Sequence, residues 1–450
     1  MDFEKIKAAA APAAAAEKTG ISEYEIYFEQ GISTDITAFR SEIKSFSSST
    51  DGGICLRCKI GDKSGIASSE LAEPESVEEL FLRAAENARL IEKDEKSFIY
   101  GGGGKYETID EKPHEVPDAA SMTASALELQ RLVYAADPRV SDGTESGVFA
   151  GGTTVRIFNS AGLDLCGTRG FTALYTVPLV TDGDDTNTAF GYATAALGEA
   201  DSQRLAADTV KRATSKFGAK KVPSGKYDIV LSGKCMVDIL STFSGVFSAK
   251  AVQTGRSLLK GKLGEKIASD RVTITDDPFD PAAPCHAAFD AEGVPTRRKT
   301  VVESGVLKTY LYNLSTADTD GVQSTGNAAK SSYAGSIGTA PFSFGIACGE
   351  QTQEQLFEAV GEGIYVTEMK GFHAGADPVT GDFSIESAGA LISGGTLDGP
   401  VKEFTVAGNF FSLLLEIEAL SDTLYRSLPG GVTQISAPAA LIRGVSIGGE

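Results

Sequence analysis

The sequence contains few histidines: three in 450 residues, at positions 114, 286 and 373. A zinc hydrolase needs imidazoles or carboxylates that converge on one ion, in many cases two histidines about one turn apart on a helix. Only His286 has metal-ligating neighbours, in the stretch DDPFDPAAPCHAAFD, and Cys285 directly before it is poorly placed to chelate the same ion. The scarcity of histidine therefore argues against a metal site within this chain.

Long apolar segments and the common phosphate-binding and nucleophile motifs are also missing. No stretch is long enough to span a bilayer, and no G-x-S-x-G elbow is present. The run GGGGK at 101–105 resembles a phosphate loop, but Ile99 and Tyr106 stand where that loop has glycine and serine or threonine. These absences argue against a membrane-spanning protein, a P-loop nucleotide-binding protein and an α/β-hydrolase.

The six cysteines are scattered along the chain and do not have the spacing of a disulfide framework. Cys55 and Cys58 form a C-x-x-C pair, but the surrounding GICLRCKIG alternates as a β-strand does. Residues three apart on a strand point to opposite faces, so these two thiols cannot bind one metal ion. We interpret both cysteines as packing residues.

Basic residues are outnumbered: 41 lysines and arginines stand against 61 aspartates and glutamates, for a net charge of −20. A surface of that charge repels phosphate groups, so we expect neither nucleic acid nor an anionic membrane as a partner. The amino terminus, MDFEKIKAAAAPAAAAEKTG, has Asp2 and Glu4 where a secretion signal is basic. We therefore expect a cytoplasmic protein.

Glycine, by contrast, is abundant, with 50 residues, which is typical of a fold with many turns and hairpins. Alternating segments such as EYEIYFEQ predict strands near the amino terminus, and a run with apolar residues at the 3.6-residue period predicts a helix after them. A helix near 121–136, further strands and a helix from 201 to 217 repeat this theme. We therefore predict an amino-terminal α/β region of two duplicated helix–strands–helix units, divided into an amino-terminal α+β domain (1–100) and a central α+β domain (101–222).

The remainder, residues 223–450, is predicted to be a carboxy-terminal β-rich domain. It opens with the strand GKYDIVLSG and a helix across 234–252, and strands dominate from residue 271 onward. Further helices are predicted near 351–360 and 409–420. The chain as a whole is therefore predicted to have an α+β fold that ends in a large antiparallel sheet or a partly closed barrel.

The segment GFHAGADPVTGDFSIESAG, residues 371–389, is the strongest candidate for a functional site. Its histidine, carboxylates and glycines fit a metal site, a phosphate cradle or a β-turn, and the turn is favoured because Pro378 forms turns and Gly381 tolerates positive φ. Two interpretations of such a segment carry equal weight. It can line a groove that binds an extended peptide, or it can be a turn with a purely structural role. For the groove, the predicted substrate-binding residues are His373, Gly381, Asp382 and Ser384.

Residues 375–410, GADPVTGDFSIESAGALISGGTLDGPVKEFTVAGNF, resemble the TldD/PmbA family, whose members have been called modulators of DNA gyrase. FDAEGVPTRRKTVVESGVLKTYLYN at 289–313 and STGNAA at 324–329 resemble family segments as well. The likeness extends to GKYDIVLSG and to the amino-terminal strands, so it covers nearly the whole chain. Residues 375–410 are its most specific part.

The resemblance implies a role in a two-subunit metallopeptidase that degrades or processes unfolded peptides. In that family the TldD subunit binds zinc through H-E-x-x-x-H on a helix and has a cysteine near its carboxy terminus, whereas the PmbA or TldE subunit lacks these ligands. Here the corresponding helix, KCMVDILSTFSGVFSAKAVQTGRS, contains no histidine, and TQISAPAALIRGVSI contains no cysteine. The resemblance therefore implies the metal-free subunit, with no catalytic or metal-binding residue and no cofactor of its own, and with zinc in the partner subunit.

The partners implied by the resemblance are a zinc-bearing TldD-like subunit, in a hetero-oligomer, and an unfolded peptide substrate, with a homodimer as the form of the isolated chain. The resemblance also implies that the chain alone is inactive as a peptidase. Two alternatives stay open. One is a stand-alone peptide-binding or chaperone-like protein without enzymatic activity, and the other is a hydrolase whose site surrounds Cys285 and His286.

Overall fold

A computed structural model describes residues 3–15, 18–70, 73–91, 98–109, 116–194 and 202–450. The helices are α1 (Phe3–Ala15), α2 (Pro74–Leu90), α3 (Ala119–Ala136), α4 (Ser202–Thr214), α5 (Gly233–Phe243), α6 (Ala249–Gln253), α7 (Leu314–Asp320), α8 (Gln353–Val360), α9 (Phe372–Gly375) and α10 (Phe410–Glu416), with a 3-10 helix at Ser244–Phe247. The strands of the amino-terminal half are β1 (Glu23–Phe39), β2 (Glu42–Ile60), β3 (Lys63–Ser69), β4 (Glu145–Asn159), β5 (Asp164–Val177), β6 (Leu179–Asp182), β7 (Asp185–Thr188) and β8 (Gly191–Thr194). The strands of the carboxy-terminal half are β9 (Gly225–Leu231), β10 (Ile274–Asp276), β11 (Lys299–Glu303), β12 (Val306–Leu307), β13 (Ala328–Ala329), β14 (Gly338–Thr339), β15 (Ser343–Ile346), β16 (Gly363–Lys370), β17 (Asp382–Ser393), β18 (Thr396–Asn409), β19 (Ile417–Arg426) and β20 (Gln434–Gly448).

The amino-terminal half is built on one six-stranded antiparallel sheet in the order β3-β2-β1-β4-β5-β8. Its central strands are long, with 17, 19 and 15 residues in β1, β2 and β4. Because side chains alternate along a strand, each of these strands can present an apolar row to either face. The strands of the two predicted units therefore share a sheet, and the domain boundaries at residues 100 and 222 stay predictions.

One face of this sheet is covered by helices in two pairs. The pair α1 and α2 packs on the end that contains Ile26 and Leu56, and the pair α3 and α4 packs on the end that contains Ile36 and Val148. The helix α3 begins where Asp118 accepts a hydrogen bond from the backbone N–H of Ser121, and its buried side chains follow the helical period. Tertiary packing on a shared sheet thus joins the two helix pairs.

The opposite face of the amino-terminal sheet packs against the carboxy-terminal half. Tyr27 and Cys55 lie on this face, with Phe289 and Tyr333 of the carboxy-terminal half packed against them. Cys58 lies on the helix-covered face, in the core formed with α1 and α2. The prediction that Cys55 and Cys58 point to opposite faces of a strand is therefore confirmed.

The carboxy-terminal half contains a closed ring of strands. In its ten-stranded sheet, β9 pairs with both β16 and β20, so β9, β16, β17, β18 and β20 form a circuit. The strands β15 and β19 each add to β20. The predicted α+β fold with a large, β-rich carboxy-terminal domain is confirmed, although β9 with β16 and β15 with β20 are parallel pairs in an otherwise antiparallel arrangement.

The helix α5 packs against this ring and provides much of the largest core. The side chain of Ser232 accepts a hydrogen bond from the backbone N–H of Cys235 at the start of the helix. At its end, the ring of Phe243 stacks on that of Phe410, with centroids 4.8 Å apart. Side chains of β9 alternate between this core and a second one under α8, to which Val230 belongs. The burial of both faces explains the continuous apolar character of this strand.

Two helices predicted from the sequence have different bounds in the structure. The helix predicted across 234–252 is divided into α5, the 3-10 helix and α6. The helix predicted at 409–420 ends at Glu416, because β19 begins at Ile417 and pairs with Ile442 of β20. A short, mainly apolar run is compatible with the period of a helix and with that of a strand, and here the residues from 417 onward form a strand because they pair with β20. In the part of the chain that the structure describes, none of the helices has the length and apolar character needed to cross a membrane.

Candidate functional site

A cleft of about 1930 Å³ lies between the two halves of the molecule. Its amino-terminal wall consists of α4, β7 and β8. Its carboxy-terminal wall consists of β16, β17, β18 and β19 together with the first turns of α5 and α8. Pockets for small molecules typically measure roughly 300–1,000 Å³, so this space, called here the large cleft, has the size for an extended polymer.

Basic side chains outnumber acidic ones along the large cleft, although the chain as a whole is acidic. Lys216, just after α4, forms an ion pair with Glu368 of β16 and thereby links the two halves. Burial acts to raise the pKa of the Glu368 carboxyl, but the hydrogen bond and the charge of Lys216 outweigh burial and lower the pKa. At the α5 end of the cleft, Lys234 pairs with Asp238 at 2.6 Å. The cleft is therefore lined by charged side chains, several of them paired.

The strand β19 presents a sheet edge at the large cleft. Among the described residues, β19 pairs along its length with β20, and its only other bridge joins Ser421 to Gln351. Residues 421–426 line the cleft. Tyr192 of β8 donates a hydrogen bond to the carbonyl oxygen of Arg426, which ties this edge to the opposite wall. A strand edge of this kind is the feature to which another extended chain can add.

The four residues predicted from the sequence lie away from this cleft. Residues 371–389 form α9, a turn and the first part of β17. His373, Asp382 and Ser384 are exposed, and Gly381 is buried. None of the four lines the large cleft or the smaller cavity described below. Their role in substrate binding stays a prediction that this placement does not support.

The part of the predicted segment that does reach the large cleft is its end, residues 386–389. Gly389 is needed there for packing between strands, because an added Cβ would overlap the carbonyl oxygen of Tyr365 in β16. The close backbone approach at this glycine is therefore made by a neighbouring strand of the same chain. The other cleft residues come from elements far apart in the sequence, such as α4 and β19, and no sequence motif joins them.

The turn before β17 has the geometry of a packed structural turn. Gly381 has φ of 83°, as predicted. The side chain of Asp377 accepts a hydrogen bond from the backbone N–H of Val379 at 2.8 Å, and the Gly381 carbonyl accepts one from the backbone N–H of Phe410 at 2.8 Å. A Cβ on Gly381 would lie 2.7 Å from the ring of Phe411. These contacts favour the turn-packing interpretation of this segment.

We expect Gly381→Val to destabilise the protein more than Gly371→Val. Both glycines have positive φ, which costs a side chain roughly 1 kcal/mol, but only Gly381 would push an added Cβ against a ring. Overpacking of this kind adds about 1–3 kcal/mol to the loss. Urea unfolding of both variants measures the difference. Equal losses of free energy of unfolding would show that the Phe411 ring moves aside at no cost.

The residues present do not fit a zinc ion. The helix α5 and the residues that follow it, up to position 256, contain no histidine. The Nε2 atom of His286 lies 2.9 Å from the carbonyl oxygen of Asp280, and burial raises the pKa of the Cys285 thiol, which is therefore protonated at neutral pH. The described residues contain no group of three or more His, Cys, Asp and Glu side chains placed to hold a metal, and His114 lies outside them. The hydrolase hypothesis for Cys285 and His286 gains no support, and the prediction that this chain binds no zinc stays a prediction.

A second cavity, of about 350 Å³, lies where β1, β4 and β5 meet loops of the carboxy-terminal half. It is called here the small cavity. Its ionisable lining residues are Tyr27, Arg169, His286, Asp290 and Lys330. The remaining lining is mostly apolar side chains and backbone. Neither its location nor its basic residues were indicated by a sequence motif.

Beside the small cavity, a buried ionic cluster joins the two halves; its members are Glu25, Arg57, Asp290 and Glu292. Arg57 donates hydrogen bonds of 3.0 and 2.6 Å to Glu25 and lies 3.8 Å from Glu292. Burial raises the pKa of Asp290 to about 7. Burial, and secondly the charge of Asp290, raise the pKa of Glu292 to about 8. Within the cluster, the carboxyl groups of Glu25 and Glu292 therefore share one guanidinium, and Asp290 adds a third buried carboxyl group beside them.

Fold and site together define an α+β protein of two halves, in which a closed ring of strands stands beside a polymer-sized cleft. Solved structures share this arrangement over the whole chain. A Thermotoga maritima protein described as a modulator of a DNA gyrase superposes with a TM-score of 0.88 at 26% identity, covering 99% of this chain and 100% of that protein. TldE from Thermococcus kodakarensis superposes with a TM-score of 0.88 and the same coverage at 22% identity, a likeness that shows the fold.

Three family models match consecutive parts of the sequence. They are described as PmbA/TldA metallopeptidase domain 1 (24–88), the central domain (111–217) and the C-terminal domain (224–449). Metalloprotease PmbA from Escherichia coli O157:H7 is 26% identical over 410 residues, which cover 88% of this chain and 86% of that protein. An uncharacterized protein of Methanocaldococcus jannaschii is 34% identical over 232 residues, so the chain matches about half, 53%, of its length. This chain belongs to the PmbA/TldD metallopeptidase family.

Proposed function

We propose that this chain is the zinc-free subunit of a two-chain metallopeptidase and that it holds unfolded peptides in the large cleft for hydrolysis at a zinc site in its partner. One observation carries the proposal: in a chain of this family, the helix at the position of the family's zinc motif contains no histidine. The contribution of this chain is then the binding and orientation of the peptide, and bond cleavage belongs to the partner.

The form of the large cleft supports an extended peptide as its occupant. At the edge of β19, the backbone N–H of Asp422 already donates to the carbonyl oxygen of Gln351, and the carbonyl oxygen of Arg426 already accepts from Tyr192. The stretch 423–425 between them is where the backbone of an unfolded peptide can add, whatever its sequence is. Side chains on β16 and β18 then contact alternate residues of the bound chain. Backbone pairing supplies affinity without a strict sequence preference, as processing of unfolded peptides requires.

Apolar surface in the cleft gives a means to test this occupant. Leu397, near the start of β18, lines the cleft and is 50% exposed. Leu415, on α10, is 49% exposed and does not line the cleft. The two leucines have nearly the same exposure in the isolated chain. A glutamate at position 397 would face a peptide bound in the large cleft, whereas a glutamate at position 415 would not.

The test uses this chain alone, a zinc-bearing family member alone, and the two mixed, with a fluorescent unfolded peptide as substrate. We expect no cleavage by this chain alone and chelator-sensitive cleavage by the mixture. In the mixture, Leu397→Glu is expected to weaken peptide binding by about tenfold or more, because a bound peptide would remove the new charge from water. Leu415→Glu, the matched control, is expected to bind as the unmodified chain does.

Chelator-sensitive cleavage by this chain alone would contradict the proposal. If Leu397→Glu and Leu415→Glu changed peptide binding equally, the large cleft would not be the peptide-binding site. Peptide binding that depends on Leu397, without cleavage in any mixture, would favour the alternative of a stand-alone peptide-binding or chaperone-like protein. The same mixtures, analysed by size-exclusion chromatography, distinguish a hetero-oligomer from a homodimer of this chain.

A further inference from the structure

We propose that the small cavity binds a small carboxylate with an apolar body, and that Lys330 and Arg169 bind its carboxylate group. This site goes beyond the proposed function, since no residue that lines the small cavity also lines the large cleft. The argument rests on two cations that, among the described residues, form no close ion pair with a carboxylate, and on the apolar side chains that line the same cavity.

Lys330 lies at the wall formed by β1. Its ammonium nitrogen is 4.7 Å from the centroid of the Tyr27 ring, and the thiol of Cys55 is a hydrogen-bonding neighbour. In the part of the chain that the structure describes, it forms no close ion pair with a carboxylate, although the charge of Glu25 in the ionic cluster acts on it. Burial lowers the pKa of this ammonium. A cation withdrawn from water without a counterion is unfavourable, and an anionic ligand in the cavity would remove that deficit.

Arg169 reaches the same cavity from β5. Its guanidinium lies beside the Tyr27 hydroxyl group, which itself donates a hydrogen bond of 2.9 Å to Glu29. Like Lys330, Arg169 has no carboxylate as an ion-pair partner among the described residues. A guanidinium and an ammonium that line one cavity can both contact the oxygens of a bound carboxylate.

Asp290 is the one acidic residue that lines the small cavity in the described part of the chain, and its oxygens are already engaged. It accepts hydrogen bonds from the backbone N–H groups of Glu292, Val294 and Ala328, at 2.9, 3.0 and 2.9 Å. These bonds direct Asp290 toward the backbone rather than toward the two cations. The charge of Lys330 and Arg169 therefore remains available to a ligand.

The remaining wall defines the body of the ligand. Phe289, Phe342, Val155 and Val432 line the cavity, together with several alanines. An inorganic anion would leave this apolar surface in contact with water, whereas an apolar group attached to the carboxylate would cover it. The volume of about 350 Å³ is sufficient for a molecule the size of an N-acylated amino acid.

The test measures binding of N-acetylleucine to the purified full chain by calorimetry, with N-acetylleucine amide and inorganic phosphate as comparison ligands. We expect the carboxylate to bind, and Lys330→Met and Arg169→Met each to weaken binding by about tenfold or more, as the loss of a charge-assisted hydrogen bond does. Lys260→Met, which removes the same charge from an exposed position, is the matched control and is expected to bind normally. Thermal melting of Lys330→Met is expected to be unchanged or higher, because an unpaired, partly buried ammonium is removed.

Equal binding of the amide and the carboxylate would overturn the proposal, and so would normal binding by both cavity variants. Phosphate binding that matches that of N-acetylleucine would show a general anion site and would also overturn it. The zinc-bearing partner takes no part in this experiment. Failure here therefore leaves the peptide-binding proposal for the large cleft intact, and Leu397→Glu is expected to bind N-acetylleucine normally.

Discussion

Replacement of Arg57 by methionine is expected to reduce the free energy of unfolding by about 3–5 kcal/mol at pH 8, the cost typical of a buried ion pair that loses one partner. Arg57 lies opposite Glu25 across β1 and β2 and is the guanidinium nearest to Glu292 of the other half. Methionine keeps the volume and the apolar stem of the side chain, so the loss reports the missing charge. Urea unfolding at pH 8 measures the change.

A matched control is Arg131→Met, which breaks the exposed pair of Arg131 and Glu128 on α3. Exposed pairs contribute about 1 kcal/mol or less, so this variant is expected to remain close to the unmodified protein. The double variant Arg57→Met with Glu25→Gln is expected to recover part of the lost stability, because one of the carboxylates left without a partner is neutralised. If Arg57→Met costs no more than Arg131→Met, the carboxyls of the cluster do not depend on Arg57.

Stability is also expected to fall as the pH rises from about 5 to about 8. The pKa of Glu292 is raised from an ordinary 4.5 to about 8, and that of Asp290 from 3.8 to about 7, both chiefly by burial. Between the ordinary and the raised values, the folded protein holds protons that the unfolded chain has released. Each rise in pH through this window therefore favours the unfolded chain. The stabilising contribution of the two protonated carboxyl groups is fully present below the window and lost above it.

Glu292→Gln tests this expectation, because the amide oxygen can still accept the hydrogen bond from the backbone N–H of Leu314 that Glu292 accepts at 2.8 Å. Unfolding in urea at four pH values between 5 and 8 should show a shallower decline for this variant and greater stability than the unmodified protein at pH 8. Glu78→Gln, at an exposed position of α2, should leave the decline unchanged. Parallel declines for all three proteins would mean that Glu292 holds no proton in this range.

The two halves that form the large cleft are held together by ionic contacts at two places. The buried ionic cluster joins the amino-terminal sheet to the carboxy-terminal half at one place, and the ion pair of Lys216 and Glu368 joins them at another. Of these, the pair of Lys216 and Glu368 lies in the lining of the cleft itself.

Local patterns predicted much of the fold. Alternation predicted the strands of the amino-terminal sheet and the opposite orientations of Cys55 and Cys58, because side-chain direction in a strand depends on the backbone alone. Turn chemistry predicted the positive φ of Gly381 for the same reason. The resemblance of the residues around 375–410 indicated the family without any three-dimensional information. The missing histidines of α5 led to the prediction of a metal-free subunit.

Other features could not be predicted in this way. Residues 417–420 are apolar apart from Glu418, which suits a helix or a strand, and only the pairing of β19 with β20 makes them a strand. The glycines of the segment 371–389 fitted a groove for a peptide, but at Gly389 the neighbouring space is occupied by β16. The four predicted site residues, His373, Gly381, Asp382 and Ser384, lie near these segments in sequence and away from the cleft in space.

The sequence by itself determined the class of fold, the family and the absence of histidine from α5, because each of these depends on residue types at short spacings. The tertiary structure alone decided where a ligand can bind. The large cleft brings together α4, β8 and β19, and the small cavity brings together Tyr27, Arg169 and Lys330. Tyr27, Arg169 and Lys330 are each more than a hundred positions apart, and β19 follows α4 and β8 by more than two hundred positions. It is the packing of the two halves, through burial of apolar surface between them, that places these residues side by side.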